Sequence, residues 1–522
     1  MSEPRDTVAA ATPHWREARK AKLEALRSRG IEPYPYAFDV THRAQQVLDL
    51  GEAVTTEPGM DVAVAGRLMA RRGHGKAGFG HLLDQSGRVQ VYAREDVLGP
   101  DAYAVWDLLD VGDWVGVKGR VFRTRTGEIT VQAVSLELLA KSMRPLPDKW
   151  HGLSDPETRY RQRYADLFMN VEVREVFRRR ALLFSTIRRF LDGRGFLEVD
   201  TPVLQPLYGG AFARPFTTHH NALGMDLYLR ISNELYLKRC LVGGLERVYE
   251  FARDFRNEGI DKSHSPEFTM LEVYQAFADY RTIMRLTEEM IVRSAEALTG
   301  GLVLEYQGTR LDFTPPWPEV SILDSVSKAV GEDVSDMDPA RMARLCERHH
   351  LEARPGTGPG GMLDELFTAL VQPELVQPTF VVDHPREISP LAKVKRGAPL
   401  VTERFEPFVC GMELGNAFSE QNDPAEQERQ FRLQMERRDA GDEEAQMLDK
   451  DFLRALEYGM PPTGGLGIGI DRLVMVLTDS RSIRDVVLFP ALRPEEGRAA
   501  LEADDDEPGT GGGGGSSDGA GA

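Results

Sequence analysis

The sequence is most informative at GLERVYEFARDFRNEG (residues 244–259) and HSPEFTMLEVYQAF (residues 264–277). Both pieces are rich in aromatic and β-branched residues, and a short charged segment separates them. This pattern predicts two antiparallel strands joined by a loop. The predicted loop holds Arg256, Glu258 and His264, so it carries charge of both signs.

The second of these strands has a face that is not purely apolar. A period of two places Phe268, Met270, Glu272 and Tyr274 on one side, so an aromatic ring, a carboxylate and a phenol lie together. A face used only for packing would rarely include a carboxylate such as Glu272. The alternation therefore indicates a functional face.

A third stretch, RFEPFVCGMELGNAFSE (residues 404–420), contains Glu406 and Glu413. The two glutamates are seven positions apart, so strict alternation along one strand would send them to opposite faces. If both serve one site, a bulge near Gly411 is required.

A fourth stretch, GGLGIGIDRLVMVL (residues 464–477), predicts a glycine-alternating strand that runs into a helix, with Arg472 at the junction. It does not match the dinucleotide fingerprint GxGxxG, because Ile470 stands where a glycine is needed, and the sequence contains no GxxxxGK[ST] loop. Arginines beside two carboxylates suit phosphoryl chemistry, in which Mg²⁺ and guanidinium groups offset the charge of a triphosphate. No activated Ser, Cys or His nucleophile is evident.

The flanking sequence suggests two folded domains. Short alternating runs between residues 61 and 139 predict about five strands, which fit a small closed barrel such as an OB-fold. A helix is predicted over residues 14–29, and its many basic residues suit either a solvated surface or contact with tRNA. A second, amphipathic helix is predicted over residues 173–191. The predicted limits are a helical extension over 1–58, a barrel domain over 59–145, an α+β catalytic domain over 146–494, and a disordered tail over 495–522.

Composition narrows the functional classes. The 522 residues carry 64 Lys and Arg against 82 Asp and Glu, and the net charge of −18 argues against nucleic-acid binding by the whole surface. The cysteines, Cys240, Cys346 and Cys410, form no CxxC pair, so neither a disulfide framework nor a zinc site is suggested. No leader-like start and no apolar run long enough to span a bilayer is found, so we expect a cytoplasmic protein without membrane segments.

After the helix predicted over residues 173–191 comes GFLEVDTP (residues 195–202). This segment and the stretches above, in this order, resemble the motifs of class II aminoacyl-tRNA synthetases: GFLEVDTP is similar to motif 1, FRNE with HSPEFTMLE to motif 2, and GLGIGIDR to motif 3. The segments GGAFARPFTTHHNAL, ELYLKR, GNAFSEQNDP and PPTGGLGIGIDR resemble the bacterial lysyl-tRNA synthetases of class IIb, over about residues 60–494. The resemblance implies an antiparallel catalytic sheet, an OB-fold that reads the anticodon, and a homodimer built partly on motif 1. It implies a lysine–tRNA ligase that uses ATP as substrate, with Mg²⁺, and acts on L-lysine and tRNA(Lys).

The resemblance also implies roles for the charged residues already noted. Arg256 matches the motif 2 arginine that bridges the α-phosphate and the amino-acid carboxylate, and is expected to be catalytic together with Arg472. Phe268 and Arg472 match a pair that sandwiches adenine. The implied ATP contacts are Arg256, Glu258, His264, Phe268 and Arg472, and the implied Mg²⁺ ligands are Glu406 and Glu413.

Lysine specificity enters through a second group of matches. Gly210, Glu234 and Glu272 match a cradle for the α-ammonium, and Asn416 supports the carboxylate end. Tyr274 and Glu420 match the clamp on the ε-ammonium, which needs a fixed anion because an unpaired buried charge is costly. In the barrel, the implied anticodon contacts are Phe79, Gln90 and Glu128, although Phe79 also suits the barrel core.

Two other functions remain open at this point. One is a synthetase paralogue that lysylates a protein or serves lipid modification; the barrel and the lack of membrane segments disfavour it. The other is a non-catalytic RNA-binding protein that keeps the fold without the chemistry.

Overall fold

A computed structural model describes residues 14–147, 153–351, 357–439 and 447–494. The tail predicted from residue 495 onward lies outside the described residues. The chain divides into two compact units, Met1–Asn170 and Val171–Ala522. The first unit thus runs past residue 145, where the sequence places the end of the barrel domain, and the predicted domain limits stay predictions.

The strands of the first unit are β1 (Asp61–His74), β2 (Ala77–Leu83), β3 (Arg88–Arg94), β4 (Trp114–Arg123) and β5 (Ile129–Ala140). They close into a barrel in the order β1-β2-β3-β5-β4. Neighbouring strands are antiparallel except β3 and β5, which are parallel. Val64, Val91, Val117 and Val131 come from four different strands and are buried together in the barrel core. The predicted five-stranded OB-fold is confirmed.

The helices of the first unit are α1 (His14–Ser28), α2 (Ala44–Leu48), α3 (Glu95–Leu98), α4 (Pro100–Leu108), α5 (Pro156–Arg161) and α6 (Arg163–Met169). Helix α1 follows the predicted basic segment and buries Leu23 and Leu26. The guanidinium of Arg19 donates to the carbonyl oxygens of Ser142 at 2.7 Å and Val111 at 2.9 Å. At least one of its basic residues therefore serves packing, and contact of this helix with tRNA stays a prediction.

The strands of the second unit are β6 (Leu197–Glu198), β7 (Leu204–Gln205), β8 (Thr217–His220), β9 (Met225–Leu229), β10 (Arg247–Phe255), β11 (Glu267–Ala276), β12 (Val303–Tyr306), β13 (Thr309–Asp312), β14 (Glu319–Ser321), β15 (Thr379–Val382), β16 (Val394–Lys395), β17 (Ala398–Thr402), β18 (Arg404–Val409), β19 (Met412–Glu413), β20 (Gly415–Ser419) and β21 (Thr463–Gly469). The main sheet runs β14-β15-β18-β20-β21-β11-β10-β6, with β19 paired to β18. Its pairs are antiparallel except at the two ends, where β14 and β15 and also β10 and β6 are parallel. The predicted antiparallel sheet is confirmed.

The helices of the second unit are α7 (Val171–Asp192), α8 (Glu234–Val242), α9 (Tyr280–Thr299), α10 (Ile322–Val330), α11 (Pro339–Arg348), α12 (Pro359–Leu370), α13 (Pro424–Asp439), α14 (Lys450–Glu457), α15 (Ile470–Leu477) and α16 (Ile483–Val486). Leu271 and Val273 of β11 belong to the same buried core as Ile187 of α7, Ile291 of α9 and Val474 of α15. One face of the sheet thus packs on helices. The opposite face of β11 is left for Glu272 and its neighbours at period two.

None of the helices in the described residues combines the length and the apolar character that a membrane crossing requires.

A buried ammonium, that of Lys141, forms two ion pairs in the first unit. Lys141 has a fully buried side chain, and its Nζ lies 2.6 Å from Asp110 Oδ2 and 2.8 Å from Asp113 Oδ2. Asp110 also pairs with Lys22 of α1, at 2.6 Å, but the Lys22 side chain is 36% exposed. The two lysines therefore contact the same carboxylate in very different surroundings.

We expect Lys141→Met to lower the free energy of unfolding of the protein by about 3–5 kcal/mol, because it leaves buried carboxylate charge without its partner. Lys22→Met is the matched control and is expected to cost about 1 kcal/mol or less, because exposed ion pairs contribute little. Urea unfolding followed by circular dichroism measures both. Equal losses in the two variants would contradict the role given to Lys141.

Candidate active site

A cavity of about 500 Å³ opens on the second unit. It lies over the face of β11 that alternation predicted to be functional, beside β18 to β21 and the loop that follows β10. The sequence-predicted site residues of this unit all line it: Gly210, Glu234, Arg256, Glu258, His264, Phe268, Glu272, Tyr274, Glu406, Glu413, Asn416, Glu420 and Arg472. Residues far apart in the chain are thereby brought to one place.

The glycines of β21 leave room for the functional face of β11. Tyr274 lies opposite Gly465 and Glu272 opposite Gly467 in the antiparallel register. A Cβ at position 465 would collide with Oε1 of Glu420 and would lie 2.5 Å from Cε1 of Tyr274. The predicted strand with alternating glycines is therefore a backbone surface against which acidic and phenolic side chains lie.

Glu272 is the acid on the functional face of β11, and its side chain is buried. Its carboxylate accepts hydrogen bonds from Ser232 Oγ at 3.0 Å and from the Tyr274 hydroxyl at 2.8 Å. Burial, with the nearby acids Asp254 and Glu234, raises the pKa of Glu272 to about 8. A cationic ligand beside Glu272 would favour the ionised form and so lower this pKa again.

Glu234 and Glu420 form a second acidic wall of the cavity. Both carboxylates contact the ammonium of Lys238 on α8. Glu420 Oε1 is buried and has no hydrogen-bond partner among the described residues. Gly210 has a φ of +88°, and a Cβ there would lie 2.8 Å from Ser232 Oγ, so a side chain at this position would crowd the wall.

The guanidinium groups occupy another part of the cavity. Arg256 lies with its Cζ 5.0 Å from the centroid of the Phe268 ring, and its Nε is buried without a partner in the described part of the chain. Arg472 donates to the carbonyl oxygen of Glu413 at 2.7 Å. A buried guanidinium N–H without an acceptor points to an anionic ligand.

His264 is held between an acid and an arginine. Its Nδ1 lies 2.8 Å from Asp261 Oδ2, and its Nε2 lies 3.3 Å from Nη2 of Arg472. Because the guanidinium can only donate, Nε2 accepts and Nδ1 carries the proton toward Asp261. The ring thus links the loop after β10 to the start of α15.

Glu406 and Glu413 reach the same site by a turn rather than by the expected bulge. The chain reverses between β18 and β19 at Cys410 (φ +50°) and Gly411 (φ +68°), so the two glutamates lie on adjacent antiparallel strands. The prediction of a bulge near Gly411 is wrong, because it assumed one continuous strand. Burial and the neighbouring Glu406 raise the pKa of Glu413.

The lining residues that were not predicted include Arg404 and Asp364. Arg404 donates from Nε to Asn416 Oδ1 at 2.8 Å and from Nη2 to Glu406 Oε1 at 2.5 Å. Period two from Glu406 along β18 could have found it. Asp364 of α12 lines the cavity, and burial, with Glu406 nearby, raises its pKa to about 6. No local pattern marks Asp364, since it comes from a helix distant in sequence.

The barrel residues form a separate group in the first unit. Phe79 is half-buried and stacks on Tyr92 with a centroid separation of 4.3 Å. Gln90 is buried and donates to Glu128 Oε2 at 2.7 Å, while His81 Nε2 lies 3.1 Å from Glu128 Oε1. Phe79 and Gln90 therefore lie on the neighbouring strands β2 and β3, and Glu128 comes directly before β5, where Gln90 donates a hydrogen bond to it.

The sequence matches known families over both units. Residues 155–493 match the family of tRNA synthetases class II (D, K and N), and residues 62–145 match the OB-fold nucleic acid binding domain. The first match covers more than half of the chain. The chain therefore belongs to the class II tRNA synthetases of the D, K and N group.

Within this family, the chain is similar to curated lysine–tRNA ligases of bacteria. The lysine–tRNA ligase of Moorella thermoacetica is 57% identical to this chain over 92% of this chain and 97% of that protein. That of Pelotomaculum thermopropionicum is 55% identical over 92% and 94%. That of Bacillus subtilis is 48% identical over 91% and 97%. The resemblance to bacterial lysyl-tRNA synthetases seen in the motif segments is confirmed.

We expect Gly465→Ala to lower the free energy of unfolding by about 1–3 kcal/mol, because its methyl group meets Glu420 and Tyr274. The matched control is Gly467→Ala on the same strand, where a Cβ would meet nothing closer than 3.7 Å. The control is expected to be neutral or stabilising by up to about 1 kcal/mol. Urea unfolding of both variants without ligands measures the difference, and equal stability would contradict the close approach at position 465.

The raised pKa of Glu272 predicts a pH dependence of stability. The folded carboxyl keeps its proton up to a pH of about 8, whereas the unfolded one loses it near its ordinary value of 4.5. Stability from this group is therefore complete below pH 4.5 and is lost as the pH rises through 8. Glu272→Gln should gain stability over the parent across that window, by on the order of a few kcal/mol.

Unfolding of the ligand-free protein at pH 5 to 9 measures this difference. Glu267→Gln alters an exposed carboxylate on the same strand and is expected to change stability little at any of these pH values. A constant offset between Glu272→Gln and the parent would contradict the burial of an ionisable group at this position.

Proposed function

We propose that this chain is a lysine–tRNA ligase. It activates L-lysine with ATP to lysyl-adenylate and pyrophosphate, and then transfers lysine to the 3′-terminal adenosine of tRNA(Lys). The observation that carries the proposal is that buried carboxylates, among them Glu272 and Glu420, share one cavity with Arg256 and Arg472. Such a cavity offers anions to a diamine and guanidinium groups to a triphosphate.

The guanidinium end suits the nucleotide. Arg256 bridges the α-phosphate and the lysine carboxylate, and its unpartnered Nε supports this role. Adenine stacks on Phe268, with Arg472 on its other side, and Glu258 and His264 complete the nucleotide contacts. A carboxylate oxygen of lysine then attacks the α-phosphorus as the bond to pyrophosphate breaks, and Arg256 and Arg472 offset the developing charge.

The acidic end suits lysine. Gly210, Glu234 and Glu272 receive the α-ammonium, and Asn416, fixed by Arg404, lies at the carboxylate end. Tyr274 and Glu420 receive the ε-ammonium. The buried Glu420 Oε1, which lacks a hydrogen-bond partner in the described residues, supports this assignment because it offers an acceptor where water is excluded.

Glu406 and Glu413 would hold Mg²⁺. The hairpin turn places the two side chains on adjacent strands. Burial and Glu406 raise the pKa of Glu413 even though Arg472, Arg404 and Arg256 act against that shift, which supports a place for a further cation. Oxygen donors of this kind fit Mg²⁺, which supplies charge neutralisation at the triphosphate when bound. Arg404 would keep Glu406 oriented toward that ion.

The OB-fold domain and the motif 1 segment have proposed roles in binding tRNA and in forming a dimer. The OB-fold domain binds the anticodon of tRNA(Lys) through Phe79, Gln90 and Glu128, a mode supported by the half-buried aromatic ring beside a polar network. The protein is a cytoplasmic homodimer built partly on the motif 1 segment. Leu197 and Leu204 in and beside that segment are about half exposed, which supports a covered surface there.

Lysine-dependent exchange of pyrophosphate into ATP tests the proposal. The parent is expected to be active, and Arg256→Ala should lower the rate by about 100-fold or more, because it removes a charge that acts on the transition state. Its affinity for tRNA(Lys) should stay unchanged.

The matched control is Arg253→Ala on β10, whose side chain is 45% exposed and lies outside the cavity lining. It is expected to keep the parental rate. Absence of lysine-dependent exchange in folded parent protein that still binds tRNA would instead favour a non-catalytic RNA-binding protein.

A further inference from the structure

Lys238 lies behind the acidic wall of the cavity rather than in its lining. It occupies the second turn of α8, four residues after Glu234, and its side chain is fully buried. Its Nζ lies 2.5 Å from Glu234 Oε1 and also contacts Glu420 Oε2. The same Nζ lies 5.4 Å from the centroid of the Phe418 ring.

We propose that Lys238 is a built-in counter-ion that fixes Glu234 and Glu420 and leaves these three groups one positive charge short of balance when both carboxylates ionise to receive the substrate ammonium. Lys238 is therefore a positioning residue that sets the specificity of the site. This inference rests on the proposed lysine–tRNA ligase function.

The geometry gives Lys238 one oxygen of each carboxylate. On Glu420 its ion pair is to Oε2; Oε1, like Oε2, is buried without a hydrogen-bond partner in the described part of the chain. The backbone at Gly465 approaches that same Oε1 so closely that no side chain fits there. Lys238 thus contacts Glu420 on one side, and the backbone of β21 at Gly465 lies against it on another. Oε1 is left as an acceptor for a ligand.

Charge makes the ammonium necessary. Two buried carboxylates side by side cannot both stay ionised without a cation, because each raises the pKa of the other. Burial and Glu234 push the pKa of Glu420 upward, and Lys238 acts against that shift. Burial alone would lower the pKa of Lys238, but the two carboxylates outweigh it and keep the ammonium charged.

The charge balance of Glu234, Glu420 and Lys238 also explains why a single cation among the described residues contacts the two carboxylates. With Lys238 in place, the three groups lack one positive charge, and the ε-ammonium of a bound lysine would complete the pair. A neutral side chain of the same length would leave the wall uncompensated. A second fixed cation would neutralise the wall before the substrate arrived.

Lys238→Met tests the proposal by removing the charge at similar volume. Lysine-dependent exchange should show a KM for lysine raised about 30-fold, because the two carboxylates are no longer fixed and share a proton instead of both facing the substrate, while the KM for ATP changes less than about threefold. Lys141→Met is the matched control, since it too removes a buried ammonium between two carboxylates, but in the barrel. It should leave the KM for lysine unchanged even if stability falls.

The double variant Glu234→Gln with Lys238→Met separates charge from packing. It leaves Glu420 as a single ionised carboxylate, so its KM for lysine should fall below that of Lys238→Met alone, although Glu234→Gln by itself weakens the proposed contact with the α-ammonium. A role in packing alone predicts that the double variant is as poor as the single one or poorer, and that result overturns the proposal. If Lys238→Met does not fold, the double variant is compared with Glu234→Gln instead. The KM for lysine of Glu234→Gln should then be at least as high as that of the double variant.

An unchanged KM for lysine in Lys238→Met, with an active parent, overturns the inference and leaves the proposed function intact. An inactive parent contradicts the proposed function itself. Failure of both Lys238 variants to bind ATP would mean that the residue serves the fold, which also overturns the proposal.

Discussion

Carboxylates that are held away from water constrain the architecture of the second unit. Glu234, Glu272 and Glu420 are nearly inaccessible to solvent. Glu272 accepts hydrogen bonds from Ser232 and Tyr274, and Glu234 and Glu420 both contact the Lys238 ammonium. Such groups are stable only where hydrogen bonds or cations replace the lost water. In this site, ionised carboxylates are therefore unfavourable until a cationic ligand binds beside them.

The sheet supplies the rigidity that this arrangement needs. Helices cover one face of β11, and Glu272 stands on the other, so its backbone position is set by the packed core behind it. The glycines of β21 let the chain pass within contact distance of Tyr274 and Glu420. Asp471, at the start of α15, accepts from the backbone N–H of Thr269 at 2.7 Å and pairs with Arg180 of α7 at 2.5 Å. The neighbouring Arg472 is thereby anchored to the same frame.

Nucleotide and amino-acid ends of the cavity are joined by particular side chains. Arg404 contacts both Asn416 and Glu406, so the expected carboxylate end of the amino acid and the expected metal ligand share one guanidinium. His264 links the loop after β10 to Arg472 in a similar way. These shared contacts make the reacting groups interdependent, because displacement of one arginine disturbs both ends.

Much of this could be predicted from sequence because it depends on local periodicity. Alternation gave the face of β11 with Glu272 correctly, and the glycine pattern gave the strand before Arg472. The local pattern did not predict the turn at Cys410 and Gly411. The sequence there is mostly apolar and resembles one continuous strand, whereas the positive φ values of both residues reverse the chain.

Side chains that meet through the tertiary fold were also beyond local pattern. Asp364 comes from α12, and the pairing of Lys238 with Glu420 joins distant segments, although the helical spacing of Glu234 and Lys238 was visible. The pattern that identified Glu420 came from family resemblance and carried no information on its counter-ion.

The central claim is that buried negative charge selects an amino acid with a terminal primary amine. ATP–pyrophosphate exchange measured with each of the twenty amino acids, and with norleucine as an analogue of the same chain length without the ε-amine, tests it most directly. The account predicts exchange with lysine at a rate far above all others, norleucine included. Comparable exchange with norleucine, or with an acidic amino acid, would contradict it.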